Sequence, residues 1–207
     1  MLDFESSVYG RRYGNLQKYL NPNPVQRWLM ERFYARVLAW VKTTGARCIL
    51  DVGCGEGFTL RKLRGHGVKA AMFGVDISAS ALAWNHAHGI AQSPVNLADA
   101  HHLPFPDNSF DLVLCLEVLE HLPDSSLGLH ELLRVAYDYV LVSVPHEPFF
   151  RGANFLRGKN LGALGNDPEH LHTYSGRAFR RLVSAQGRVV WHGYSFPWQI
   201  ALVRNAK

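Results

Sequence analysis

Short continuous apolar runs alternate along this chain with segments whose apolar residues recur at helical spacing, the pattern of a parallel sheet with crossover helices. After an opening loop, Met1 to Pro24, the stretch from Val25 to Lys42 carries Trp28, Leu29, Phe33, Val37, Leu38 and Val41 on one stripe. That stripe predicts a helix packed on a sheet edge or over a cofactor. Ile49 to Val52 reads as a buried strand and Phe58 to Leu63 as the first turns of a helix. Ala70 to Val75 is a second strand, Ser78 caps a helix running to about His88, and Pro94 to Ala98 is a third strand. Leu112 to Leu116 is apolar throughout, as a central parallel strand covered on both faces must be. A helix beginning at Ser125 or Ser126 and ending near Tyr137 follows, then a strand from Tyr139 to Val144 stopped by Pro145. Another helix spans Ser175 to Gln186, with Gly187 as its stop. Arg188 to Tyr194 and Gln199 to Arg204 close the sheet as a hairpin, making seven strands with the last antiparallel.

The first strand runs into Asp51-Val52-Gly53-Cys54-Gly55-Glu56-Gly57, an acid followed by three alternate glycines in one tight turn. Glycines there clear side chains from the backbone, and a helix start follows, so the segment forms the nucleotide-binding corner of a doubly wound α/β fold. The spacing is G-x-G-x-G, unlike the G-x-G-x-x-G of dinucleotide sites. A carboxylate at Asp51 repels a pyrophosphate but serves a cofactor that carries an ammonium group and no phosphate, as S-adenosylmethionine (SAM) does at its methionyl end. The second strand ends at Asp76, spaced for a carboxylate that takes both ribose hydroxyls, and Ile77 offers a packing surface for adenine. A plain tight turn is the competing reading of the glycines alone.

Further motifs follow in order: Asp99-Ala100, then Leu103-Pro104-Phe105-Pro106-Asp107-Asn108-Ser109-Phe110-Asp111, then Glu117-Val118-Leu119-Glu120-His121-Leu122 after the apolar run. With these residues the chain resembles the class I SAM-dependent methyltransferases, especially the small-molecule branch that includes the ubiquinone/menaquinone-biosynthesis type. The resemblance runs from about Cys48 to the C-terminus. It implies a Rossmann-like three-layer α/β/α sandwich with a seven-stranded, mostly parallel sheet, and a single domain over residues 1–207. It further implies that Asp99 takes the adenine amino group and the Ala100 amide a ring nitrogen, although Asp99 could instead cap a turn. The cofactor-binding set is then Asp51, Gly53, Cys54, Gly55, Gly57, Asp76, Ile77, Asp99, Ala100 and Leu116. Glu117 is placed where the fourth strand opens into the cleft, while Glu120 and His121 serve the chemistry or only cap and pack a helix.

Ligands of open α/β sheets sit outside the carboxyl ends of the strands, so the segment 146–174 is positioned to roof the cleft and select the acceptor. Residues 1–43, the N-terminal arm and helix, form the cofactor lid on this reading, with Tyr9, Tyr13 and Tyr19 as flat surfaces. The segment's His146, Glu147, Glu169, His170 and His172 carry metal-ligating groups. The helix-borne H-E-x-x-H is absent, however, and Pro168 disfavours a helix entering Glu169, so no metal is expected. The candidate catalytic residues are His146, His170, Glu117 and His121. Histidine titrates near neutral pH and suits a general base or a hydrogen bond to the acceptor; packing is the competing role.

Composition narrows the remaining classes. The 207 residues are 47% hydrophobic, enough for one α/β core and too few for two ordinary domains. The net charge of +5 raises nucleic acid as a partner. Yet the basic residues are scattered as Arg11-Arg12, Arg61-Lys62-Arg64, Arg151-Arg157-Lys159 and Arg177-Arg180-Arg181, so no stable nucleic-acid partner is expected. Cys48, Cys54 and Cys115 lack disulfide or C-x-x-C spacing, and no stretch has the character of a signal peptide or a membrane span. These features predict a cytoplasmic monomer or homodimer. The leading reading is methyl transfer from SAM to the O, N or C atom of a small-molecule acceptor, releasing S-adenosylhomocysteine. An RNA or protein methyltransferase is the alternative, but the Asn/Asp-Pro-Pro-Tyr/Phe motif is absent after the fourth strand. A non-catalytic SAM-binding protein is the third reading.

Overall fold

The computed structural model describes residues 22–156 and 170–205. The tyrosines of the N-terminal arm, Glu169 and most of the expected closing segment between Arg151 and His172 lie outside them. The first element, α1 (Pro24–Thr44), starts where Asn23 Oδ1 accepts the amides of Val25 and Gln26, and it stops at Gly45 in the left-handed conformation. Its buried side is Leu29, Met30, Phe33, Tyr34, Val37 and Val41. Trp28, expected on the stripe, is mostly exposed and lies under the Arg32 guanidinium instead.

The seven strands are β1 (Cys48–Val52), β2 (Ala71–Asp76), β3 (Val95–Leu97), β4 (Phe110–Leu116), β5 (Ala136–Pro145), β6 (Arg188–Ser195) and β7 (Trp198–Arg204), in the order β3-β2-β1-β4-β5-β7-β6. The first five are mutually parallel, and β7 is antiparallel to both β5 and β6. Alternate strand residues feed two cores. Ile49, Leu112, Leu114 and Leu141 pack with α1 and with Leu60, Leu63 and Leu82 of α2 (Phe58–Gly65) and α3 (Ala79–His88). Leu50, Val113, Cys115 and Val140 pack on the other face with α4 (Ser125–Val135) and α6 (Gly176–Ser184). Between β5 and α6 lies α5 (Phe149–Leu156). The result is a three-layer α/β/α sandwich.

Two local expectations change. Asp124 caps α4 through the amides of Ser126 and Leu127, since a carboxylate one residue ahead of the serines reaches both. The helix also ends before Tyr137, because Ala136 pairs with Phe110 and draws the chain into β5. Among the described residues, no helix is long and apolar enough to cross a membrane. The basic face of α2 is tied down in part: Lys62 pairs with Glu31 of α1 at 2.6 Å, and Arg64 donates to Gln92 O and Ser93 Oγ.

Candidate functional site

The strand order reverses direction between β1 and β4, and in an open α/β sheet the crevice at that switch point takes the ligand. Here the cleft is lined by Gly53, Cys54 and Glu56 of the turn after β1, Phe58 and Thr59 of α2, and Leu116 and Glu117 at the end of β4. Met30, Phe33 and Tyr34 of α1 and Trp198 of β7 complete the wall. Of the stripe read on α1, Phe33 lines the cleft, beside Met30 and Tyr34 from the same buried side of the helix. The Tyr34 hydroxyl and Thr59 Oγ1 share a hydrogen bond of 3.0 Å, and burial, with the Asp51 and Glu117 charges adding, raises the phenol's pKa.

The turn is held open by its backbone. The amides of Gly53 and Cys54 both donate to Val75 O, at 2.8 and 3.0 Å. Gly53 has φ +76°, and a Cβ there would lie 2.2 Å from Val118 Cγ2. Gly57, the α2 N-cap, has φ +84°, and a Cβ there would meet Ala91 at 2.6 Å. Both glycines are thus required by conformation and by close approach.

Three carboxyl groups surround this turn. Asp76 accepts the Gly55 amide at 2.7 Å and the Ser78 amide at 2.8 Å, which fixes both its oxygens at the end of β2. Ile77 beside it is 72% exposed, while Leu97 at the end of β3 is 61% exposed. Asp51 is 2% exposed, and its Oδ2 is buried with no hydrogen-bond partner among the described residues. Burial, with the Asp76 charge adding, pushes its carboxyl up to about 8. Glu56 is the third, 1% exposed and part of the cleft wall.

On the neighbouring loop, Asp99 Oδ1 accepts the His101 amide and meets the His101 ring at 2.8 Å, and these bonds lower its pKa. Ala100 is buried next to it. The turn reading of Asp99 thus has a physical basis, and the carboxylate is still partly exposed.

The candidate catalytic residues fall into separate groups. Glu117 has φ +62°, its amide donates to Ser143 O and Oγ at 3.1 Å, and its Oε1 accepts from Ser143 Oγ at 2.8 Å. A non-glycine residue in that conformation is unusual and is held here by the buried Ser143. His146, after β5, tilts against Tyr194 at 4.5 Å and Phe149 at 5.0 Å, and burial, with His192 adding, lowers its pKa. His121 and His170 meet edge to face at 4.9 Å in another group, next to Glu120. The sequence reading missed Glu56, Ser143, Tyr34 and Thr59. Glu56 stands inside the glycine motif, and an acid there was the available signal; nothing in the sequence marks Ser143.

Residues 50–138 match the family model described as a methyltransferase domain. Norajmaline N-methyltransferase of Rauvolfia serpentina is 31% identical over 120 residues, 53% of this chain and 40% of that protein. Ubiquinone biosynthesis O-methyltransferase of Coxiella burnetii is 39% identical over 88 residues, 40% of this chain and 36% of that protein. The chain thus spans about two fifths or less of these relatives' lengths. Among solved structures, magnesium protoporphyrin IX methyltransferase from Synechocystis PCC 6803 with bound S-adenosylhomocysteine has TM-score 0.72 at 20% identity, covering 99% of this chain and 97% of that one. The PH0226 protein from Pyrococcus horikoshii OT3 has TM-score 0.70 at 18% identity, covering 97% of this chain and 99% of that one. Strand order, glycine turn and matched domain agree: residues 50–138 carry a methyltransferase domain, set in the fold these solved structures share.

Proposed function

We propose that this chain transfers the methyl group of SAM to the O, N or C atom of a small-molecule acceptor. The observation that carries the reading is the pair of carboxyl groups flanking one glycine turn: buried Asp51 before it, and Asp76 beneath its Gly55 amide. That pair disfavours a pyrophosphate and suits a ligand with an ammonium group and a ribose diol. When bound, SAM supplies a methyl already activated by its sulfonium. The chain's own work is binding and positioning, and good placement of two reactants is worth up to about 7–11 kcal/mol.

On this reading Asp51 meets the ammonium, Gly53, Cys54, Gly55 and Gly57 keep the backbone clear, and Asp76 takes the ribose hydroxyls with its remaining lone pairs. Ile77 packs the adenine, Asp99 and Ala100 hydrogen-bond its edge, and Leu116 and Glu117 border the methyl. The relatives' names include both N- and O-methyltransferases, which supports a small-molecule acceptor and leaves the attacking atom to experiment. His146, Phe149, Tyr194 and Phe196 form an aromatic surface at the carboxyl end of β5, suited to a flat, largely apolar acceptor.

Calorimetry tests the cofactor: S-adenosylhomocysteine should bind and NAD should not. NAD binding without S-adenosylhomocysteine binding would refute the reading. Asp76→Ala should weaken S-adenosylhomocysteine by about 1.5–3 kcal/mol for each charge-assisted hydrogen bond lost. Because that change also frees the Gly55 amide, Asp76→Asn is the companion variant; affinity unchanged in both removes Asp76 from the site.

A further inference from the structure

Three ligand-bearing side chains converge outside the cofactor cleft. Glu120 and His121 stand on the 3-10 turn Leu119–His121, just beyond Glu117, and His170 reaches them from the segment before α6. One ligand atom from each lies within 4.8 Å of the other two. His121 Nε2 is 4.0 Å from Glu120 Oε1, and the two imidazole centroids are 4.9 Å apart. The backbone fixes the approach, since the amides of Leu171 and His172 both donate to Glu120 O, at 2.9 and 3.0 Å.

We propose that Glu120, His121 and His170 bind one first-row divalent cation, with Zn²⁺ as the type ion, and that this ion clips the segment after β5 to the turn after β4. Two imidazoles and a carboxylate are borderline-to-hard donors that suit Zn²⁺, Co²⁺ or a similar ion over Ca²⁺ or Mg²⁺. Glu120 is 1% exposed, and a buried carboxylate gains from a cation held against it. Two ligands of one tetrahedral ion stand about 3.3 Å apart at bond lengths of about 2.0–2.1 Å, a closure that rotation of the partly exposed histidines supplies. Three protein ligands leave a fourth position for water or an acceptor oxygen. This set differs from the five candidates in the 146–174 segment: only His170 is shared, and its partners come from the motif after β4.

The chelator-treated, dialysed 207-residue chain should be titrated with Co²⁺ alone and followed by visible absorption. One equivalent should bind with the ligand-field bands of a histidine-bound tetrahedral ion, and Zn²⁺ should displace it. Both His121→Ala and His170→Ala should weaken Co²⁺ by at least about 10–100-fold, the scale for losing even an outer-shell partner. Circular dichroism checks folding; if His121→Ala unfolds, His170→Ala decides alone, being in a loop. S-adenosylhomocysteine affinity is measured on the same samples, so failure of the metal site and failure of the cofactor reading are told apart. Absence of stoichiometric Co²⁺ binding, or binding equally tight in the folded histidine variants, would overturn the proposal.

Discussion

Asp51→Asn should stabilise the ligand-free chain at pH 8 by up to about 5 kcal/mol, with the gain disappearing toward pH 4. The Asp51 carboxyl titrates at 3.8 when free and is pushed up to about 8 in the fold by burial, with the Asp76 charge adding. Between those values the folded chain holds a proton that the unfolded chain has released. Stability from this group is therefore full below its unfolded pKa and is lost as pH rises through its folded pKa. At about 1.36 kcal/mol per pKa unit, the loss reaches several kcal/mol. Asparagine cannot ionise and keeps the neutral form throughout. Urea unfolding at both pH values measures the difference, and an equal midpoint shift at the two would contradict it. The same substitution should weaken S-adenosylhomocysteine, because an ammonium loses its charged partner; a residue retained against stability is what a binding site leads one to expect. In the parent below pH 8, ligand binding should release a proton from Asp51, visible as a buffer-dependent binding enthalpy.

The sequence shows most of this fold because its local signals agree with its tertiary ones. Ser78 caps α3 as its position suggests, and the apolar run to Leu116 is a central strand covered on both sides. What escapes is whatever depends on a second segment. The helix Phe149–Leu156 escapes that reading, because it is short and Gly152 breaks its pattern. Of the cofactor set, Gly53, Cys54 and Leu116 line the cleft itself. The left-handed Glu117 depends on Ser143 of β5, and the burial of Glu120 depends on packing no periodicity reveals. His146 and His170, both read as acceptor-side residues, belong to different clusters, His146 against Tyr194 and Phe149, His170 against His121.

That division gives His146 its own test. Its ring is held between Tyr194 and Phe149, and burial, with His192 nearby, lowers its pKa, which favours the neutral ring that can accept a proton. If the acceptor must lose a proton on methylation and His146 takes it, His146→Ala should lower kcat by about 10²–10⁴-fold, the contribution of a positioned general base. S-adenosylhomocysteine affinity should be unchanged, because the contacts proposed for Asp51, Gly53 and Asp76 lie elsewhere. The parent's rate should fall on the acid side, at a pH below the ordinary imidazole range because the pKa is lowered, and that limb should be missing in the variant. A loss smaller than about tenfold with the acid limb intact would make His146 a packing residue and leave the transfer to positioning beside Glu117.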